Sequence, residues 1–176
     1  MTNTDKEKLF TLCFGDTAET AREFFSIKEV VTLTELENGR LCAMASLLPL
    51  ETDRGACGFY VYGVCVHPDC RGKGYFNRVM KKCEDFANKN KGDFLSLIPA
   101  NQPLADTYRR MGYTEKLALY HSANKDHEKI FVVSNGFIEF ARPEENAKGV
   151  IDFGLMKPLT FDSKRKMAFF SPMGDC

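Results

Sequence analysis

A chain of 176 residues is long enough to bury one core, and its 24 Lys and Arg against 24 Asp and Glu leave no net charge; the basic footprint of a nucleic-acid or membrane-surface partner is therefore missing from the chain as a whole. No apolar run approaches a bilayer span, and the opening Met-Thr-Asn-Thr-Asp-Lys-Glu-Lys reads as neither a signal nor a transit peptide, so a soluble, cytoplasmic protein is expected. Seven cysteines, at 13, 42, 57, 65, 70, 83 and 176, are odd in number, scattered and without a Cys-x-x-Cys pair, which points to free thiols and to no metal site.

Asp5 to Phe14 reads as a helix with Leu9, Phe10, Leu12 and Cys13 as its apolar set and Gly15 as its stop. Asp16 followed by Glu19 makes a capping pair for a second helix through Phe25, with Phe24 and Phe25 assigned to the core. Val30 to Leu36, then Asn38-Gly39, then Arg40 to Leu50 is the pattern of a β-hairpin with a two-residue turn. A loop over 51–55 leads to the apolar, β-rich run Phe59 to Val66. Gly63 within that run marks either a bulge or a close backbone approach.

Pro68 closes the strand, and the basic, glycine-rich stretch Arg71-Gly72-Lys73-Gly74 follows. Next, Phe76, Val79, Met80, Cys83, Phe86 and Ala87 share one helical face; Lys89 and Lys91 suit the end of the macrodipole, and Gly92 supplies a left-handed stop. The order strand, glycine loop, helix N-terminus is what a chain needs to hold a phosphate, because the unpaired N–H groups of the first turn converge on the anion. A Walker loop is excluded, since Asn77 stands where its hydroxyl would have to be, and the three-glycine dinucleotide pattern is absent as well.

Arg71-Gly72-Lys73-Gly74-Tyr75-Phe76, preceded by Val66-His67-Pro68, resembles instead the Arg/Gln-x-x-Gly-x-Gly/Ala pyrophosphate loop of the Gcn5-related N-acetyltransferases. Phe76 departs from the Gly or Ala that the family prefers. After the helix comes Asp93 to Ile98, apolar enough for a buried strand, and then Asn101 to Tyr113. This last segment is similar to the family's second signature: an Asn, a Tyr seven residues on (Tyr108), a basic residue (Arg109), then Gly112 and an aromatic. Pro103 and Gly112 bound a short helix there, with Leu104, Tyr108 and Met111 on one face.

The resemblance implies an α/β (α+β) fold, a mixed, mostly antiparallel twisted sheet with helices on both faces. The strand ending at Val66 and the strand at Phe94 would be its central parallel pair, splayed to admit coenzyme A. Residues 1–122 would form the catalytic core and residues 123–176 a β-rich extension, within the same domain, that completes the sheet, walls the acceptor pocket or pairs with a second copy. It further implies acetyl-CoA as cosubstrate. Backbone groups of Val64 and Val66 would meet the pantetheine amides, and the N–H groups of Gly72, Lys73, Gly74, Tyr75 and Phe76 would hold the pyrophosphate with charge from Arg71 and Lys73. A backbone N–H near Val64 or Cys65 would stabilise the oxyanion. Tyr108 would protonate the departing thiolate, and Asn101 would orient the pantetheine end or simply cap its helix. No Glu stands early in the central strand, where Tyr60 is found. His67, Glu29, Glu51, Asp53 and Tyr62 are all open as the general base, and Cys65 reads as packing rather than as a nucleophile.

The function expected is acetyl transfer to a primary amine of a small molecule or a protein. The alternative is a coenzyme-binding module without turnover. Beyond Tyr113, a strand is expected over 114–121, a second Asn-Gly hairpin around Asn135-Gly136, and strands at Val150 to Met156 and Met167 to Phe170.

Overall fold

Two short helices come first. In a computed structural model of the chain, which describes residues 2–51, 56–120, 129–132, 153–160 and 167–170, α1 (Asn3–Phe14) opens on a capping box between Thr2 and Asp5. It ends on Gly15 at φ 77°, whose N–H reaches Thr11 O at 2.9 Å. Leu9 and Phe10 are buried, whereas Leu12, expected among them, is 55% exposed. α2 (Ala18–Ser26) is capped by Thr17 accepting from Thr20 N, not by Asp16. Either side chain could cap, and the helix begins one residue later than the acidic pair indicated. Phe24 is buried and Phe25 half-buried.

β1 (Val31–Glu37) and β2 (Arg40–Glu51) form the antiparallel hairpin, with Asn38 at φ 51° and Gly39 at φ 80° supplying the two left-handed residues of the turn. β3 (Cys57–Val66) follows, then a 3-10 turn (Pro68–Cys70) and α3 (Tyr75–Lys89). The helix buries Tyr75, Val79, Met80, Cys83 and Ala87. It closes with Gly92 N–H on Ala87 O (2.8 Å) and Lys91 N–H on Asn88 O (3.1 Å), the paired bonds of a Schellman end. Lys91, at φ 57°, takes the left-handed position expected of Gly92. Glycine is needed one residue later for space, because a Cβ there would lie 3.0 Å from the Phe59 ring.

Thereafter the elements are β4 (Phe94–Leu97), α4 (Gln102–Arg110), β5 (Glu115–Tyr120), β6 (Lys129–Val132), β7 (Phe153–Pro158) and β8 (Met167–Phe170). The chain divides into two compact units, Met1–Leu48 with Val61–Phe86, and Pro49–Tyr60 with Ala87–Cys176. In the first the strand order is β1-β2-β3, around an aromatic cluster in which Phe10 touches Phe14, Phe24, Phe25 and Tyr62 at centroid distances from 4.7 to 6.1 Å. In the second it is β3-β4-β7-β5-β6-β8.

β3 and β4 are parallel, as the strand-helix-strand order requires, and every other pairing given is antiparallel. Their ladder covers Gly58, Phe59 and Tyr60 against Phe94, Leu95 and Ser96, while β3 continues to Val66. β7 lies between β4 and β5, pairing Leu97 with Leu155 and Ala118 with Phe153. Of the loop expected over 51–55, Glu51 is the last residue of β2, and 52–55 and the hairpin at Asn135-Gly136 lie outside the described residues.

Gly58 sits where parallel strands approach most closely. A Cβ there would stand 2.6 Å from Phe94 O and 2.7 Å from the Phe94 ring, so the backbone itself would have to move. Gly58→Ala is expected to destabilise the protein by about 1–3 kcal/mol, the usual cost of overpacking, read as a lower urea midpoint at an unchanged slope.

Candidate active site

The segment from β3 to α3 is folded as a series of backbone commitments. His67 N–H donates to Cys42 O on β2 at 2.8 Å. The His67 ring caps the 3-10 turn, its Nδ1 accepting from Asp69 N–H at 3.2 Å. Arg40 reaches across from β2 to Asp69 Oδ2 (2.7 Å) and His67 Nε2 (3.0 Å). The hydrogen bond from this guanidinium, and then its charge, hold the Asp69 carboxyl below the ordinary carboxylate range.

Gly72 and Gly74 take φ of 75° and 76°, which a residue with a Cβ enters only at a cost. At Gly72 a Cβ would meet nothing within 4 Å, so the backbone angle alone calls for glycine. Arg78 is the first helical residue whose N–H finds a carbonyl, Gly74 O at 3.2 Å. Among the described residues, the N–H groups of Gly72, Lys73, Gly74 and Tyr75 donate to no backbone carbonyl. Four such amides at the mouth of a 15-residue helix are donors that can serve an anion, with the helix dipole in their favour. A diphosphate, with its several acceptor oxygens, fits that donor set.

The cations around this loop are more engaged than the sequence indicated. Lys73 Nζ lies 2.9 Å from Glu37 Oε2, and this bond, foremost, lowers the Glu37 pKa. Arg78 and Lys82 both reach Glu35, at 3.3 and 2.6 Å. The Arg78 guanidinium also sits 4.0 Å above the Tyr75 ring. Arg71 is exposed, and Phe76 is half-buried rather than turned fully inward; Tyr75 is the buried ring at this end of the helix.

Two features of this unit gave no signal in the sequence. Cys42 and Cys70 form a disulfide, with Cα atoms 5.6 Å apart, which corrects the expectation that every cysteine is a free thiol. They stand 28 residues apart and meet only because β2 runs beside the end of β3. Cys13, Cys57, Cys65 and Cys83 are free, and Cys176 lies outside the described residues.

The second feature is a thiol pair. Cys13 on α1 donates to Val66 O at 3.7 Å and is hydrogen-bonded to Cys65. That bond, helped by the charge of Arg71 and opposed by burial, brings the Cys13 pKa down to about 7. The same bond and then burial push Cys65 up, so Cys65 is an inert, buried thiol. The Val66 carbonyl, assigned to pantetheine by resemblance, thus already has a donor. Between these positions Gly63 adopts φ 61°, and its Cβ would lie 3.0 Å from Phe10 Cε2. Tyr60 and Val61 are both buried, so the strand does not keep a strict in-out alternation.

In the other unit, Asn101 is the N-cap of α4, its Oδ1 accepting from Leu104 N–H at 3.0 Å. Tyr108 is buried on this helix and packs edge-on against Tyr113, with centroids 5.7 Å apart. Gly112, at φ 94°, ends the segment beside Lys157 of β7. Of the residues open as base, His67 is committed to Arg40 and Asp69, Tyr62 packs on Phe10 and Phe24, and Glu29 is exposed. The side chains of Glu51 and Asp53 lie outside those described.

A mostly antiparallel sheet with one parallel pair, and a glycine loop at the N-terminus of the helix that follows the first strand of that pair, define an α/β protein. Residues 4–113, more than half of the chain, match the Acetyltransferase (GNAT) family. The chain belongs to that family.

Solved structures share the fold at low identity. A probable N-acyltransferase from Enterococcus faecalis V583 has a TM-score of 0.56 at 22% identity over 67% of this chain and 32% of that one. A ribosomal-protein-alanine N-acetyltransferase from Brucella melitensis biovar Abortus 2308 has 0.55 at 17%, over 78% and 93%. An aminoglycoside 6'-acetyltransferase type Ii has 0.55 at 14%, over 94% and 87%. The chain spans about a third of the Enterococcus protein's length. Among curated proteins nothing matches.

The thiol pair yields a direct test. Alkylation of Cys13 by iodoacetamide, followed by peptide mass spectrometry, is expected to rise with pH around a midpoint near 7. In Cys65→Ala the midpoint should move toward the ordinary thiol value of about 8.5, since the hydrogen bond that stabilises the thiolate is gone.

Proposed function

We propose that this protein transfers the acetyl group of acetyl-CoA directly to a primary amine of a small molecule or a protein. The observation that carries the reading is the set of unengaged amides from Gly72 to Tyr75 at the start of α3, in a chain of an acetyltransferase family. Those amides, with Phe76 N–H and the Arg71 charge, hold the diphosphate. Lys73 contributes less than its charge alone would give, because Glu37 shares it.

Backbone groups of Val64, Cys65 and the N–H of Val66 receive the pantetheine arm, and Asn101 steadies its sulfur end with the amide nitrogen that the helix cap does not use. The left-handed turn at Gly63 re-aims the amides just after it, so that one near Val64 or Cys65 faces the carbonyl oxygen as it becomes an oxyanion. The amine nitrogen attacks the thioester carbon, the C–S bond breaks, the thiolate takes a proton from the Tyr108 hydroxyl, and the proton that the nitrogen loses passes through water to restore the phenol. A phenol of pKa about 10 and a thiol of about 8.5 make that transfer close to balanced. An alkyl amine of pKa about 10.4 is neutral in only roughly one molecule in a few thousand at pH 7, so the preferred acceptor is a less basic amine or one deprotonated through water.

Two measurements test this. Acetyl-CoA should raise the melting temperature, and a panel of primary amines should then release free thiol; stabilisation without thiol release from any amine would favour a binding module instead. Tyr108→Phe is expected to lower kcat by about 100-fold or more, the usual worth of a positioned acid, with acetyl-CoA affinity within about twofold of wild type. Weakened binding with kcat intact would remove Tyr108 from the reaction.

A further inference from the structure

We propose that the Cys42–Cys70 disulfide is a redox latch on the diphosphate loop: oxidised, it pins the turn from which Arg71–Phe76 springs, and its reduction by thiols loosens that loop and weakens its hold on acetyl-CoA. The coenzyme half of this statement rests on the function proposed above; the mechanical half does not.

Cys70 is the last residue of the 3-10 turn, with Arg71 directly after it. Cys42 is fully buried in β2 and Cys70 is 1% exposed, so the link joins the loop's base to the interior of a strand. The side-chain ties nearby are weaker by nature. Arg40 and Asp69 are 52% and 66% exposed, and Lys73 and Glu37 are 49% and 39% exposed; ion pairs so open to water and salt hold little. Glu37 joins the two systems. Its carboxylate lies within 4.8 Å of both sulfurs and also pairs with Lys73, which sets the disulfide and the Lys73 ion pair side by side at the base of the loop. With the bond cut, the turn keeps Cys70 N–H on His67 O, Arg71 N–H on Pro68 O and, at its start, His67 N–H on Cys42 O, but its far end at Cys70 loses the covalent tie to β2. Gly72 and Gly74 then have the most conformational freedom to regain.

The exchange balances with a thiol as reductant. One external thiolate attacks a sulfur of the pair, forming a mixed disulfide and expelling the other sulfur, which takes up a proton. A second external thiol displaces the first. Each protein sulfur gains one electron and one proton, and the external thiols leave as their own disulfide. Burial of both sulfurs makes the attack depend on transient opening of the turn, the same motion the latch restrains.

The test compares full-length protein purified without reductant, the same protein after treatment with a phosphine under native conditions, and Cys70→Ala. Intact mass records the gain of two hydrogens. Amide exchange is followed over 68–76, and acetyl-CoA is titrated by calorimetry, its sulfur being blocked as a thioester. On reduction, exchange over 68–76 is expected to quicken and the acetyl-CoA Kd to rise by about threefold or more, as lost preorganisation requires. Cys70→Ala should match reduced wild type with or without phosphine. The latch is overturned if the purified protein carries both thiols free, if the bond resists native reduction, or if the reduced protein exchanges and binds as the oxidised one does. Quickened exchange with no acetyl-CoA heat in either state would uphold the latch and remove the function proposed above.

Discussion

A backbone amide that donates to no carbonyl is a standing cost unless water or a ligand accepts from it, and the turn from Gly72 to Tyr75 keeps several in that state together. Much of the surrounding architecture is arranged to hold that condition in place. Left-handed angles at Gly72 and Gly74 stop the chain from folding the amides into a continuous helix, and β3 delivers the turn at a fixed point beside β2. Carboxylates at Glu35 and Glu37 draw the nearby ammonium and guanidinium groups toward the hairpin. What the loop can offer an anion is therefore backbone dipole more than free side-chain charge, in a chain that has no charge excess.

Where the sequence was legible, a residue type had one physical use at its position. Asn38-Gly39 could make only the tight turn that β1 and β2 now share, and the spacing Val79, Met80, Cys83, Ala87 could face only one way on a helix. Gly72 and Gly74 were legible for the same reason. Errors fell where two neighbours could do one job. Thr17 caps α2 in place of Asp16, and Lys91 takes the left-handed position that Gly92 was expected to fill. Tyr75, not Phe76, is the fully buried ring at the start of the helix, one turn before Val79 on the same face.

The remaining differences are long-range, and no local pattern encodes them. Cys42 meets Cys70, and Cys13 meets Cys65 and the Val66 carbonyl, only after β2, β3 and α1 have packed. Nothing local marks Glu35 and Glu37, which gain their partners only when the helix brings Arg78 and Lys82, and the loop before it Lys73, to the hairpin. Tyr108 and Asn101 illustrate the converse. Their spacing was plain, yet a buried ring against Tyr113 and a helix cap are what any stable short helix would also want, so their chemistry needs kinetics rather than geometry.

The position of β7 governs how this protein can be made. β4 leaves the ribosome with one flank promised to a segment that begins only at Phe153, and β5 is synthesised in between without becoming its neighbour. During that interval Phe94, Leu95 and Leu97 form a strand with an open edge, competent to pair with any other nascent chain. Completion of the sheet is thus an event of high sequence separation, of the kind that slows folding and leaves a strand edge open while a chain is being made.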